Sequence, residues 1–282
     1  MINIFNYPFI NQNLNISSGD FFIISIFFLS IGSFTSTLIY RLSRIEKFKI
    51  SDLIYPRSRC PTCKNQISYL NLIPLIGFLR QQGKCISCKS KISFFYPITE
   101  IFFLIFGIFI VFNYGYSILS IYLFLILTIF YILFFLDLNF LYLPLPLNIS
   151  IIGLGLTGNT FFSLAIEDSI YIFNISPLWF SVFGFLIGYI FLYLVNYLFK
   201  IYKGVDGIGG GDFILFGGIG SIFGPLSLGP ILFLSSVLGI LYFVFFLKMN
   251  RNELPLGSFL ILGSSCYFFF KTFELFEDYL VL

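Results

Sequence analysis

Two kinds of residue in this chain are spaced for chemistry: four cysteines in two CxxC pairs, and two aspartates at the edges of apolar stretches. Cys60-Pro61-Thr62-Cys63 and Cys85-Ile86-Ser87-Cys88 have 21 residues between them. Each CxxC turn aims two thiolates at one point, and two turns complete a tetrahedral four-sulfur site suited to Zn2+. Four protein ligands leave no open coordination position, so such a metal is structural. The competing reading is a pair of disulfides, which requires an oxidising compartment. Cys266 lies inside an apolar stretch and is read as packing there.

Asp137 ends the stretch Phe134-Phe135-Leu136, and Asp212 follows Gly209-Gly210-Gly211. Either one alone reads as an ordinary acid at a span end, and Asp212 near a helix start also suits the dipole. Taken together they suggest more, because an ionisable group at membrane depth is costly. Two carboxylates brought together cannot both ionise easily. One keeps its proton and acts as acid, while the other stays charged and polarises a water between them. Gly209 and Gly211 would let a neighbouring helix, or an extended peptide backbone, approach closely. Asp206 is a nearby alternative, placed among loop residues. The chain has no histidine, which removes Ser-His-Asp and Cys-His hydrolases, HExxH metalloproteases and His-ligated metals.

The elements that must position these groups are apolar. Hydrophobic residues make up 58% of the chain and charged residues 10%, against roughly a quarter charged in soluble domains. Eight stretches approach the roughly 20 residues a membrane span needs: 21–40, 97–113, 117–136, 143–162, 178–199, 208–223, 229–247 and 255–273. The sixth is short and glycine-rich. The first is read as a retained span rather than a signal peptide, since Arg41 and Arg44 follow it at once and it has no usual cleavage site. The expected fold is an all-α polytopic membrane protein of about eight transmembrane helices. A small cytoplasmic zinc-knuckle domain separates the first two. The corresponding division is 1–40, 41–96 and 97–282, the last being a membrane domain of about seven helices. With eight spans, 15 of the 16 basic residues fall on one side, eleven of them in 41–96. That side is expected to be the cytoplasm, with both termini outside. A net charge of +3 is too small to suggest a nucleic-acid partner, whereas the basic loop suits anionic lipid headgroups of the bilayer.

An ordered set of motifs from about 30 to 262 resembles the bacterial prepilin peptidases, the type IV leader peptidases. It comprises Gly32-Ser33-Phe34, Tyr40-Arg41-Leu42, Arg57 to Cys63, Asn71 to Leu75, Gly83 to Cys88, Lys91-Ile92-Ser93 and Tyr96 to Glu100. Asp137, Leu143-Pro144, Gly209-Gly210-Gly211-Asp212 and Pro255 to Leu260 complete it. The resemblance implies a membrane aspartic endopeptidase of the bacterial inner membrane. Such enzymes cut the basic leader of type IV prepilins and pseudopilins after a glycine, on the cytoplasmic side. It further implies N-methylation of the new terminus from S-adenosylmethionine. By position, it makes Asp137 and Asp212 the catalytic pair. Asn139 and Leu145 stand where many members are acidic, Ser36 replaces a frequent Asn, and Ile214 a common Lys. Glu46, Asp52, Glu100 and Asp206 are candidates to receive a basic leader. The rival readings are a proton-coupled multi-pass transporter relaying protons through Asp137 and Asp212, and a zinc-stabilised assembly factor without activity.

Overall fold

The computed structural model describes residues 18–44, 57–162, 175–247 and 254–272. They form nine α-helices: α1 Ser18–Leu42, the short α2 Ile76–Arg80, α3 Phe95–Tyr114, α4 Ile118–Phe140, α5 Leu145–Phe162, α6 Pro177–Lys203, α7 Gly210–Phe223, α8 Leu228–Tyr242 and α9 Leu256–Thr272. A π-turn, Phe243–Leu247, extends α8. Among the described residues the only strand-like pairing is two isolated antiparallel bridges.

Six helices, namely α1, α3, α4, α5, α6 and α8 with its extension, are long and apolar enough to cross a membrane. Two shorter apolar helices, α7 and α9, bring the set to the eight expected from sequence. With 14 residues, α7 rises about 21 Å, less than the ~30 Å hydrocarbon thickness. Its bounds are glycines: Gly209 caps it in extended conformation and Gly224 ends it at φ +81°. The small polar residues within these helices satisfy themselves locally. Ser30, Thr99, Ser150, Thr160 and Ser235 each donate to the carbonyl four residues earlier. In lipid a hydroxyl has no water to turn to, so this is the inexpensive arrangement.

The described residues fall into two compact units, one ending at Phe124 and one beginning at Leu125, with α4 running through the boundary. In the first, α1 packs along α3. Gly32 and Gly107 allow this: a Cβ on Gly32 would lie 2.8 Å from Glu100 Cα, and one on Gly107 would enter the Phe28 ring.

In the second unit α7 is the hub, lying against α6, α5 and α9, while α8 packs on α9. Phe213 and every residue from Leu215 to Ile222 are buried. Gly184 of α6 and Gly220 of α7 face each other so closely that a Cβ on either would overlap the other's carbonyl oxygen. Buried amides tie the far end: Asn159 of α5 donates to the Ser221 and Ile222 carbonyls at 2.8 and 3.1 Å, and to Ser181 of α6. Ser181 Oγ also donates to Ser221 at 2.8 Å. In an apolar bundle such bonds fix rotation and register where hydrophobic packing alone would not.

Candidate functional site

The two CxxC turns have the same local fold. In each, the first cysteine's carbonyl accepts from a lysine N–H four residues on, at 2.9 Å: Lys64 to Cys60 and Lys89 to Cys85. Both lysines have positive φ, +62° and +58°. Each turn is closed by a bridge, Arg59 with Gln66 and Lys84 with Lys91. The four Sγ atoms converge to within 4.8 Å of one another. Cys60 and Cys88 sulfurs are 3.8 Å apart, and Cys63 and Cys85 sulfurs 4.0 Å. A tetrahedral ion with metal–sulfur bonds of about 2.3 Å requires an edge of about 3.8 Å, so the cluster has the size to hold one. The Cys63 backbone amide, helped by Ser90, holds the Cys60 thiol down at about 6. Despite the Asn65 amide, burial and the crowding of Cys88, Cys60 and Cys85 push Cys63 up to about 11.

This loop is fastened to its own unit by Glu100. The Glu100 carboxylate is buried in α3 and accepts the Leu75 N–H at 2.7 Å. Leu75, at φ +58°, is the N-cap of α2. Glu100 is thus an internal fastener rather than an acid open to a leader. Glu46 and Asp52 lie outside the described residues, as do Lys248 and Arg251.

Asp137 and Asp212 meet in the second unit. Three residues beyond Asp137 remain helical, so it sits on the inner face of α4 rather than at its end, and only 4% of it is exposed. Asp212 is in the first turn of α7, its N–H bonded to Gly209 at 3.1 Å. What joins them is the start of α9. A Cβ on Gly257 would lie 3.1 Å from Asp137 Oδ2 and 3.1 Å from Asp212 Oδ1. The separation of those oxygens therefore cannot exceed twice that. Ser258 holds Asp137 twice, with N–H at 2.6 Å and Oγ at 2.9 Å from Oδ2, and its Oγ also lies 3.0 Å from the Phe134 carbonyl oxygen. Asp212 Oδ1, by contrast, is buried with no hydrogen-bond partner among the described residues. One carboxylate is thus held by donors and the other is left with a free oxygen, an asymmetric pair able to divide proton acceptance and donation between them.

The other flagged glycines have distinct surroundings. A Cβ on Gly211 would sit 2.9 Å from Leu143 Cβ, so this position packs against the α4–α5 connection. Gly209 is the N-cap, and a Cβ there would meet only Asp212 Oδ2, at 3.2 Å. Asn148 of α5, fully buried, donates to the Gly211 carbonyl at 3.1 Å. Asp206 stands apart from the pair: it is bonded to Lys200 and Asn196, and the Lys200 ammonium first, then Asn196, holds its carboxyl below the usual range. Cys266 is half-buried in α9 and is not one of the four clustered cysteines. Ser258, Gly257, Asn148 and Asn196 were not singled out for a role by sequence reasoning. Ser258 and Gly257 could have been, since they fall within the quoted run Pro255 to Leu260.

Comparison with known proteins agrees with the sequence resemblance. Residues 26–114 match the bacterial peptidase A24 N-terminal domain, and residues 123–244 match the type IV leader peptidase family. The chain is 31% identical to the prepilin leader peptidase/N-methyltransferase of Stutzerimonas stutzeri, over 83% of this chain and 85% of that protein. It is 31% identical to that of Vibrio cholerae serotype O1, over 87% and 94%. The protein of the same name in Legionella pneumophila is 28% identical over 93% of both chains. No solved structure matches. The two matched segments are separated by only residues 115–122 and together span both the cysteine loop and the helices that carry the aspartates, and the chain belongs to the type IV leader peptidase family.

Proposed function

We propose that this integral membrane enzyme removes the leader peptide of type IV prepilins and pseudopilins, with Asp137 and Asp212 as its catalytic pair. The observation that carries the reading is the convergence of both carboxylates at Gly257, in a chain without histidine. The ionised carboxylate takes a proton from water as its oxygen attacks the scissile carbonyl. The protonated one donates to the carbonyl oxygen, and a proton then passes to the leaving amine. Ser258 fits Asp137 to the ionised role, because two donors on one oxygen favour the charged form. Gly257 leaves open the space beside both oxygens. The asymmetric placement of basic residues supports a cytoplasmic active site in a bacterial inner membrane, where a prepilin's leader would lie. No observation favours the proton-transporter alternative.

The relatives' name carries a second activity, N-methylation of the exposed terminus. S-adenosylmethionine would be its substrate, and no described residue is assigned to it. The division 1–40, 41–96 and 97–282 is kept as the functional one: anchor, cytoplasmic loop and catalytic membrane domain. Mass spectrometry of a prepilin co-expressed with this chain reads both steps. The expected product lacks its leader up to a glycine and is heavier by one methyl group. Intact prepilin at full enzyme expression overturns the peptidase reading, and a trimmed but unmethylated product restricts it to cleavage.

The cysteine cluster is proposed as a structural Zn2+ site held by Cys60, Cys63, Cys85 and Cys88. Zinc bound there would supply a cross-link and no catalysis. Purified protein is expected to carry about one zinc per chain. Cys60→Ser removes the most buried of the four ligands and should lower both zinc content and the protease resistance of 57–94. Full zinc with full resistance in that variant refutes the site.

A further inference from the structure

Helix α6 ends and α7 begins within six residues, Gly204 to Gly209, and this short turn determines where Asp212 lies. Asn196, two turns before the end of α6, is 7% exposed in a predominantly apolar helix. Every polar atom of its amide is used on the turn. Its Oδ1 accepts the Gly207 N–H at 2.8 Å and the Ile208 N–H at 3.0 Å. Its Nδ2 donates to Asp206 Oδ1 at 3.0 Å. Lys200, one helical turn further on, donates to the other oxygen of Asp206 at 2.8 Å. Gly204, at φ +78°, reverses the chain so that these residues fold back on α6. Gly207 packs against Phe199 of α6: a Cβ would lie 2.7 Å from its ring, so a side chain there would have to displace it.

Four bonds therefore converge on three consecutive residues, 206 to 208. The next residue is the N-cap of α7, and Asp212 follows in its first turn. A buried amide in an apolar helix is costly unless satisfied, and hydrophobic packing gives no reason for one at this position. We propose that Asn196 and Asp206 are positioning residues for leader cleavage: together they lock the α6–α7 turn and so set the start of α7 and the direction of the Asp212 carboxylate. Asp206 is then a structural counter-group to Asn196 and Lys200, not a spare catalytic acid. The role rests on Asp212 being catalytic, and it acts only through Asp212.

The test is a reciprocal exchange, measured on full-length enzyme in detergent or vesicles with a purified prepilin. Asn196→Asp still accepts both loop N–H groups but sets a second carboxylate against Asp206. It should lower kcat roughly tenfold to a hundredfold with KM unchanged, because misorientation affects the step and not the binding of a hydrophobic substrate helix. Adding Asp206→Asn restores a donor opposite the new carboxylate, so the double variant should recover most of the lost kcat. If Asn196→Asp does not insert, Asp206→Lys must show the same loss confined to kcat, as it faces Lys200 with a like charge at an exposed position. The proposal is overturned by full kcat in Asn196→Asp or in Asp206→Lys, by a change in KM alone, or by a double variant no better than the single one. Absence of cleavage by the unmodified enzyme would instead strike the peptidase reading itself.

Discussion

Asp137→Asn and Asp212→Asn are each expected to reduce leader cleavage by roughly a thousandfold or more, with the protein still inserted and folded. Asn keeps the shape of the side chain, and at 137 its Oδ1 can still accept the two Ser258 donors. The packing of α4, α7 and α9 should therefore survive, which a melting curve or limited proteolysis will verify. What Asn cannot do is exchange a proton. Water attack on a peptide carbonyl needs one group to remove a proton and another to supply one, and with neither half working alone the two losses should not add. The double variant should be about as inactive as either single one. Substrate binding should change little, since the helix of the precursor supplies the affinity. Substantial turnover by either Asn variant would end the two-aspartate mechanism.

The second large effect is expected at the α6–α7 crossing. Gly184→Leu drives a side chain into the Gly220 carbonyl and toward Gly224, both backbone, where no rotamer can yield. The helices must separate, at a cost of about 3 kcal/mol or more, and α7 loses its register against α6. Cleavage and thermal stability should fall together, unlike the aspartate variants, where only cleavage falls. Gly153→Ala is the comparison: nothing lies within 4 Å of its added Cβ, and Ala is the better helix former by about 1 kcal/mol. Its melting temperature should be unchanged or higher. Equal stability of Gly184→Leu and the parent would refute the close crossing.

The membrane helices were legible because each is a long apolar run, and even the shortness of α7 could be read from glycines at both ends of 208–223. Helix faces were not legible. These helices are apolar all round, so no periodic stripe marks which side packs and which meets lipid. Asp137 illustrates the consequence: the last apolar run before it suggested a helix end, yet the helix continues through Phe140. The partners of the buried polar groups were hidden for a related reason. Ser258 bonds a residue 121 positions earlier and Asn159 one 62 positions later, separations at which no local pattern exists. The cysteine cluster was the opposite case, because the CxxC turn is a local geometry. The partners of two other acids were equally hidden: Glu100 is buried against the Leu75 N–H, which closes it to a basic leader, while Asp206 stays exposed beside Lys200 and Asn196.

The parts of the aspartate pair are made at very different moments. The ribosome delivers Asp137 first, Asp212 after 75 further residues, and Gly257 with Ser258 only with α9, the last described helix. A nascent chain halted after α8 would already hold both carboxylates, but not the donors that fix Asp137 or the glycine at which the two oxygens meet. If the pair is the catalytic one proposed, proteolytic competence must wait for α9, the last described helix to be translated. A half-made protease loose in the membrane would be a hazard to its neighbours, and the order of translation by itself provides a delay.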